Sequence, residues 1–229
     1  MKIFVPNNSQ EGLVTVYDDC IGHFITHNRD RNNIIFVGNA EEADLIVLFE
    51  EFSYKMPDYG DQVMSSHLFR AFSEKIYTVN YDDIGRGFLS GCYTSLTPKN
   101  FDSQYHRSCA YPNTYNEFAD SFVDANPPVY LYSFTGATHS NPVRTRIASL
   151  LLNNEEGKIS VVNQVFHTHD RQQKESYVKE ILSSKFVLCP RGWSPSTYRL
   201  YEVMSLGRCP VISRPCKTPA TRMNTGHLG

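Results

Sequence analysis

Lys185-Phe-Val-Leu-Cys-Pro-Arg-Gly-Trp-Ser-Pro-Ser-Thr-Tyr-Arg-Leu-Tyr-Glu-Val-Met-Ser-Leu-Gly-Arg-Cys-Pro-Val-Ile-Ser213 holds the strand-helix-strand passage on which the reading of the fold turns. The apolar run Phe186–Cys189 ends in Pro190-Arg191-Gly192, residues that break regular structure. Ser194 then fits an N-cap and Pro195 the first turn of a helix over 194–206, where a missing N–H costs nothing. Leu200, Val203 and Met204 recur at helical spacing and predict a face packed on a sheet. Arg199 and Glu202 fall on the flank of that stripe, Ser196 falls in the first turn, and Pro210–Ile212 returns as a strand.

Upstream of this passage the alternation continues. Val129–Phe134 reads as a strand, Asn141–Leu152 as a helix, Ile159–Val162 as a strand and Asp170–Ser184 as a helix. A βαβαβαβ series with short connections implies a parallel sheet with helices on both faces, and such sheets bind ligands at the carboxyl ends of their strands. Further upstream, strands are expected at Lys2–Val5, Ile34–Val37, Leu45–Phe49 and Ile76–Val79. Helical spacing recurs at Tyr17, Ile21, Phe24 and Ile25 and at His67, Leu68, Ala71 and Phe72. Residues 85–127 are rich in Gly, Pro, Ser, Asn and Tyr with no clear period and read as long loops. Cutting the chain at Pro127-Pro128 gives two α/β domains, 1–127 and 128–229, that would enclose a cleft.

The 229 residues include 41% apolar and 20% charged, which excludes disorder, collagen and coiled coil. No apolar run approaches the roughly 18 residues of a membrane-spanning helix, so the chain as sequenced is expected to be soluble, which leans towards the cytoplasm. Cys20, Cys92, Cys109, Cys189, Cys209 and Cys216 form no CxxC pair and read as buried reduced thiols. The sequon Asn7-Asn8-Ser9 is a triplet that arises often by chance. The net charge of -2 conceals an asymmetry: residues 1–127 carry 9 Lys and Arg against 18 Asp and Glu, residues 128–229 carry 13 against 6. A basic half beside an acidic one suits a small phosphate-bearing ligand better than a nucleic acid lying across both.

In the quoted passage, a helix N-terminus at a strand's carboxyl end attracts anions through its free N–H groups and its dipole. Arg191 and Arg199 can bracket a pyrophosphate there, because guanidinium forks match phosphate oxygens. Glu202 either accepts from a ribose diol or pairs with Arg199. The bland alternative is a surface ion pair beside a Gly-bearing turn.

Cys189, Pro190, Arg191, Gly192, Ser196, Arg199, Glu202, Gly207 and Pro210-Val211-Ile212 resemble, in type and order, the C-terminal signature of the exostosin family, inverting glycosyltransferases of the GT-B architecture. Val129-Tyr-Leu-Tyr-Ser-Phe-Thr-Gly136 followed by Asn141-Pro-Val-Arg144 resembles the opening of the same family's donor domain. The resemblance implies two Rossmann-like domains of GT-B type: 1–127 on the acceptor side, and 128–229 holding the donor. Family members continue past the Pro-Val-Ile strand, so the C-terminal domain is read as truncated, and a non-catalytic nucleotide- or sugar-binding remnant is the alternative to an active enzyme. The activity implied is inverting transfer of a hexosyl or pentosyl unit from a nucleotide-sugar, a UDP-sugar by resemblance, to a glycan acceptor. Arg144, Arg191, Gly192, Ser196, Arg199 and Glu202 are the implied substrate-binding residues. No metal cofactor is expected, because arginines would stabilise the departing diphosphate. The family acts in the Golgi behind a membrane anchor, which implies that setting here if an anchor is missing.

The general base stays unassigned among Asp18, Asp19, Asp82, Asp83 and His23. Asp82-Asp83 also suits a turn, where Asp bonds the backbone. Gly85-Arg86-Gly87 lacks the third glycine of a dinucleotide fingerprint and reads as a turn. His167-Thr168-His169 lacks the carboxylates or cysteines that would complete a metal site and reads as loop.

Overall fold

The computed structural model describes residues 1–6, 18–29, 33–50, 57–111, 118, 126–162 and 170–212. They form two compact units that part between Ala110 and Tyr111, and each is built on its own parallel sheet.

In the first unit the sheet contains β1 (Lys2–Phe4), β2 (Ile35–Phe36), β3 (Leu45–Glu50), β4 (Ile76–Asn80), β5 (Gly91–Tyr93) and β6 (His106–Ser108), in the order β2-β1-β3-β4-β5-β6. The central strand β3 reads Leu-Ile-Val-Leu-Phe without polar alternation because both of its faces are covered. On one face Ile46 and Leu48 pack with Tyr59 and Val63 of α2 (Tyr59–Ser65) and Leu68 of α3 (His67–Phe72). On the other, Phe49 meets the edge of Phe24 from α1 (Asp18–Asn28), ring centroids 5.2 Å apart. Ser66 closes the entry to α3 by accepting from Phe69 N at 3.1 Å.

The stretch 85–127, expected as loop, contains β5 and β6. Three residues per strand are too few to show a period, and they are placed by pairing, β5 on β4 and β6 on β5, rather than by a pattern of their own. Gly91 sits at φ 154°, and a Cβ there would collide with the Thr78 backbone. Gly85-Arg86-Gly87 follows a turn at Asp83-Ile84 and has no helix after it, Gly87 lying at φ 71° with room for a Cβ closed by Asn100 O at 2.7 Å.

The second unit contains β7 (Tyr130–Gly136), α4 (Pro142–Leu151), β8 (Gly157–Val161), α5 (Arg171–Leu182), β9 (Ser184–Leu188), α6 (Tyr198–Ser205) and β10 (Cys209–Val211), with sheet order β10-β9-β7-β8. The α4 and α5 starts are those the sequence signals. Asn141 caps α4 through Val143 N at 3.1 Å with Pro142 in the first position, and Asp170 forms a capping box with Gln173 on α5. Ile181 of α5, Val187 of β9 and Val203 of α6 make a shared core, each at most 2% exposed.

In the second unit the Tyr111 hydroxyl donates to Ser194 Oγ at 2.9 Å, its ring stacks on Tyr198 at 3.9 Å, and Phe118 packs on Val178 and Leu182. One expectation is corrected. The last helix starts at Tyr198 after an N-cap at Thr197, not at Ser194, because Ser194 Oγ already accepts from Ser196 N at 3.1 Å and closes a turn ahead of the helix. Among the described residues no helix is long and apolar enough to cross a membrane.

Candidate functional site

The chain leaves β7 for β8 on one side and later enters β9 on the other, so the carboxyl ends of β7 and β9 form a topological switch point. Gly136 ends β7, and Cys189-Pro190-Arg191-Gly192 follows β9. The residues singled out from sequence gather around these two ends.

Arg144 of α4 ties the two loops together. Its Nε donates to Arg191 O at 3.0 Å, one terminal nitrogen to Pro190 O at 3.3 Å and the other to Ala137 O at 3.3 Å. Asn141 Nδ2 adds a bond to Gly192 O at 3.1 Å. Burial, and then repulsion from the Arg199 guanidinium, lower the Arg144 pKa to about 10, so it remains a cation at neutral pH. Its partners are neutral carbonyls, which satisfy its N–H groups without cancelling its charge.

Arg199, in the first turn of α6, is 8% exposed. One terminal nitrogen donates to Thr135 O, and the guanidinium lies over the Phe134 ring at 4.7 Å and near the Tyr177 ring at 5.9 Å. Its Nε and its other terminal nitrogen are buried with no hydrogen-bond partner among the described residues. Gly136 makes this placement possible, since a Cβ there would lie 2.6 Å from Arg199. At Gly192 a Cβ would press on Arg144 at 3.0 Å.

Glu202 is 5% exposed rather than on an open flank. Its Oε2 accepts from the Tyr177 hydroxyl at 2.7 Å, not from an ion pair with Arg199, and its Oε1 has no partner. Burial raises its pKa, with the Tyr177 bond and the Arg199 charge acting in the opposite sense. Arg191 is half-buried, one terminal nitrogen reaching Trp193 O at 3.5 Å while its Nε has no partner. Ser196 lies in the turn before α6, and Trp193 stands 63% exposed in the same loop with His139 6.5 Å away.

The buried Arg199 guanidinium, with two unsatisfied N–H groups and the Arg144 charge beside it, makes a place for an anion, because a buried cation without a counter-charge is costly. Glu202 Oε1, without a partner among the described residues, has acceptor capacity left for a hydroxyl. Sequence reading missed Tyr177, Thr135 and Trp193. Tyr177 and Thr135 reach the site from α5 and β7, which no local motif links to α6, whereas Trp193 lies inside the quoted passage and its exposure was its only signal.

Of the residues considered as a base, Asp82 is 1% exposed at the carboxyl end of β4, with its own N–H bonded to Asn80 Oδ1 at 3.2 Å, as a turn residue would be. Asp83 is half-buried next to it. The side chains of Asp18, Asp19 and His23, and His167, His169 and Asn7-Asn8-Ser9 entirely, lie outside the described residues. Sequence reading also missed Glu50, which ends β3 fully buried, accepts from Thr78 and Asn80, and has its pKa raised by burial. Among the described residues no three His, Cys, Asp or Glu side chains gather as a metal site.

Comparison with known proteins places this site in a family. Residues 111–226, half of the chain, match the family described as the RXYLT1 C-terminal domain, and the match starts at the residue where the second unit starts. Ribitol-5-phosphate xylosyltransferase 1 of Homo sapiens is 31% identical over 86 residues, which cover 36% of this chain and 19% of that protein. Its counterpart in Mus musculus is 28% identical over 103 residues, covering 44% and 22%. The probable glucuronoxylan glucuronosyltransferase IRX7 of Arabidopsis thaliana is 50% identical over 42 residues, covering 18% and 9%. The chain thus matches about a fifth of the length of the two xylosyltransferases. From the matched region, and from the parallel α/β unit that carries it, the chain belongs to the RXYLT1 C-terminal domain family, within the exostosin-like glycosyltransferases.

Proposed function

We propose that this chain transfers a sugar from a UDP-sugar to a hydroxyl of a glycan acceptor with inversion, in a GT-B arrangement. The unit from Tyr111 onward then serves the donor and the first unit the acceptor. The observation that carries the reading is Arg199, a buried cation at the switch point with two N–H groups and no anion to receive them. A nucleoside diphosphate supplies the missing acceptor oxygens, and relatives named as xylosyl- and glucuronosyltransferases support such a donor.

In this reading Arg199 and Arg191 contact the diphosphate, while Gly192 and the Ser196 hydroxyl line its approach. Glu202 Oε1 accepts from a ribose or sugar hydroxyl. Arg144 acts as a positioning residue that fixes both loops and adds positive charge. As an acceptor oxygen attacks the anomeric carbon, a base takes its proton and the bond to the diphosphate breaks on the opposite face. The arginines stabilise the charge that develops on the leaving group, the part a metal plays in other transferases, so the reaction proceeds without one. A Golgi setting belongs to the same proposal.

The test is release of UDP from a panel of UDP-sugars with glycan acceptors in EDTA, with product configuration read by NMR. Transfer with an inverted anomeric centre supports the proposal. A retained configuration, dependence on an added metal, or donor binding without release of UDP contradicts it.

A further inference from the structure

We infer that Cys92 and Cys109 are a dithiol pair that closes into a disulfide across the edge of the first sheet, a covalent modification site independent of the proposed sugar transfer. The placement follows from the strand register. Cys92 lies on β5 directly opposite Arg107 on β6, and Tyr93 lies opposite Ser108. Cys109 follows the last residue of β6, and its N–H donates to Tyr93 O at 3.1 Å, which continues the ladder by one residue. Side chains alternate along strands, so Cys92, Arg107 and Cys109 share one face of the sheet, the two cysteines as diagonal neighbours. Both thiols are free and half-buried, and they meet in an S–H···S contact.

Diagonal neighbours inside a sheet stand slightly too far apart for a disulfide without backbone movement. Here the movement is available, because β6 is a three-residue strand at the edge of the sheet the described residues form, and Cys109 lies just beyond its end. Arg107, held by its bonds to Ser103 O and His106 O, places its guanidinium on the same face. The contact from Cys109, and then the Arg107 charge, hold Cys92 below the ordinary thiol pKa, so Cys92 is the sulfur that ionises first.

The chemistry balances as a dithiol-disulfide exchange. The Cys92 thiolate attacks a sulfur of an external disulfide such as oxidised glutathione and expels one thiolate. The Cys109 sulfur, losing its proton, attacks the mixed disulfide at Cys92 and expels the second. The protein loses two protons and two electrons, and the external disulfide becomes two thiols. The product bonds β5 to the end of β6 and encloses the 93–108 connection.

Reduced full-length chain equilibrated with oxidised glutathione, quenched with acid, alkylated and cleaved with trypsin tests this directly. Lys99 and Arg107 lie between the two cysteines, so cleavage separates them unless a disulfide joins them. The expected result is a linked Cys92–Cys109 peptide, absent from Cys92→Ser and from Cys109→Ser, with a higher thermal midpoint for oxidised than reduced wild type and no such shift in either variant. Arg107→Ala is expected to slow alkylation of Cys92 at mildly acidic pH and to match wild type at alkaline pH. Glutathione held on Cys92 without closure, a linked pair that leaves out either residue, or an unchanged pH profile in Arg107→Ala overturns the inference.

Discussion

Arg199 is a buried guanidinium surrounded by two aromatic faces and one carbonyl, and none of these is an anion. The remaining N–H groups make its fork, not only its charge, the functional feature. Arg199→Lys is therefore expected to weaken UDP binding at least about ten-fold in a calorimetric titration, close to the effect of Arg199→Ala. An affinity within two-fold of wild type in Arg199→Lys contradicts that role. Glu50 gives a second residue-scale prediction. Its folded pKa is raised by burial above the ordinary 4.5, so the stability tied to it is present below that value and is lost as pH rises through the raised one. Glu50→Gln should flatten the decline in urea midpoint between mildly acidic and neutral pH, and an unchanged decline would assign it to another group. Arg191, Arg199 and Glu202 could be named as candidates from sequence because their spacing sits on one turn-and-helix passage. Tyr177, which donates to Glu202, was not, and neither was Glu50, since one carboxylate at the end of an apolar strand has no local signature.

The elements of the second unit are readable where a side chain closes its own helix. Asp170 Oδ1 accepts from Gln173 N at 2.8 Å and Asp170 N donates to Gln173 Oε1 in return, so Asp170→Ala should cost about 1 kcal/mol of that unit's stability, measured by denaturant unfolding. Ile181 joins α5 to β9 and α6 at 2% exposure, and Ile181→Ala should cost about 2–5 kcal/mol. A loss below about 1 kcal/mol would mean that this core does not couple the three elements. The α6 start was misplaced because Ser194 has the right chemistry for a cap but spends its oxygen on Ser196 N and on the Tyr111 hydroxyl, a residue far away in sequence. The strands β5 and β6 were hidden for a different reason. Three residues show no alternation, and Gly91 serves β4's backbone approach rather than a pattern. Gly91→Ala is expected to destabilise the first unit by about 3 kcal/mol or more, because the added Cβ meets backbone that cannot rotate away.

At the scale of the whole chain, the sequence announced two α/β halves and an acidic-to-basic change in charge, and the two parallel sheets agree with the first of these. Pro127-Pro128 is a local signal, whereas membership of a compact unit is decided by packing, here of Tyr111 and Phe118. The site charge comes from the buried Arg199 and the half-buried Arg144 and Arg191 rather than from fully exposed side chains, so UDP binding should fall only modestly with added salt. The chain also carries its own reporter, since its single tryptophan, Trp193, is exposed in the loop between β9 and α6. The most direct measurement of the central claim is Trp193 emission during a titration with UDP in EDTA, repeated on Arg199→Ala. The account predicts a saturable change in the wild-type chain that moves to at least about ten-fold higher UDP in the variant. No change in emission together with no heat of UDP binding, or the same titration curve in Arg199→Ala, would contradict a diphosphate site at the ends of β7 and β9.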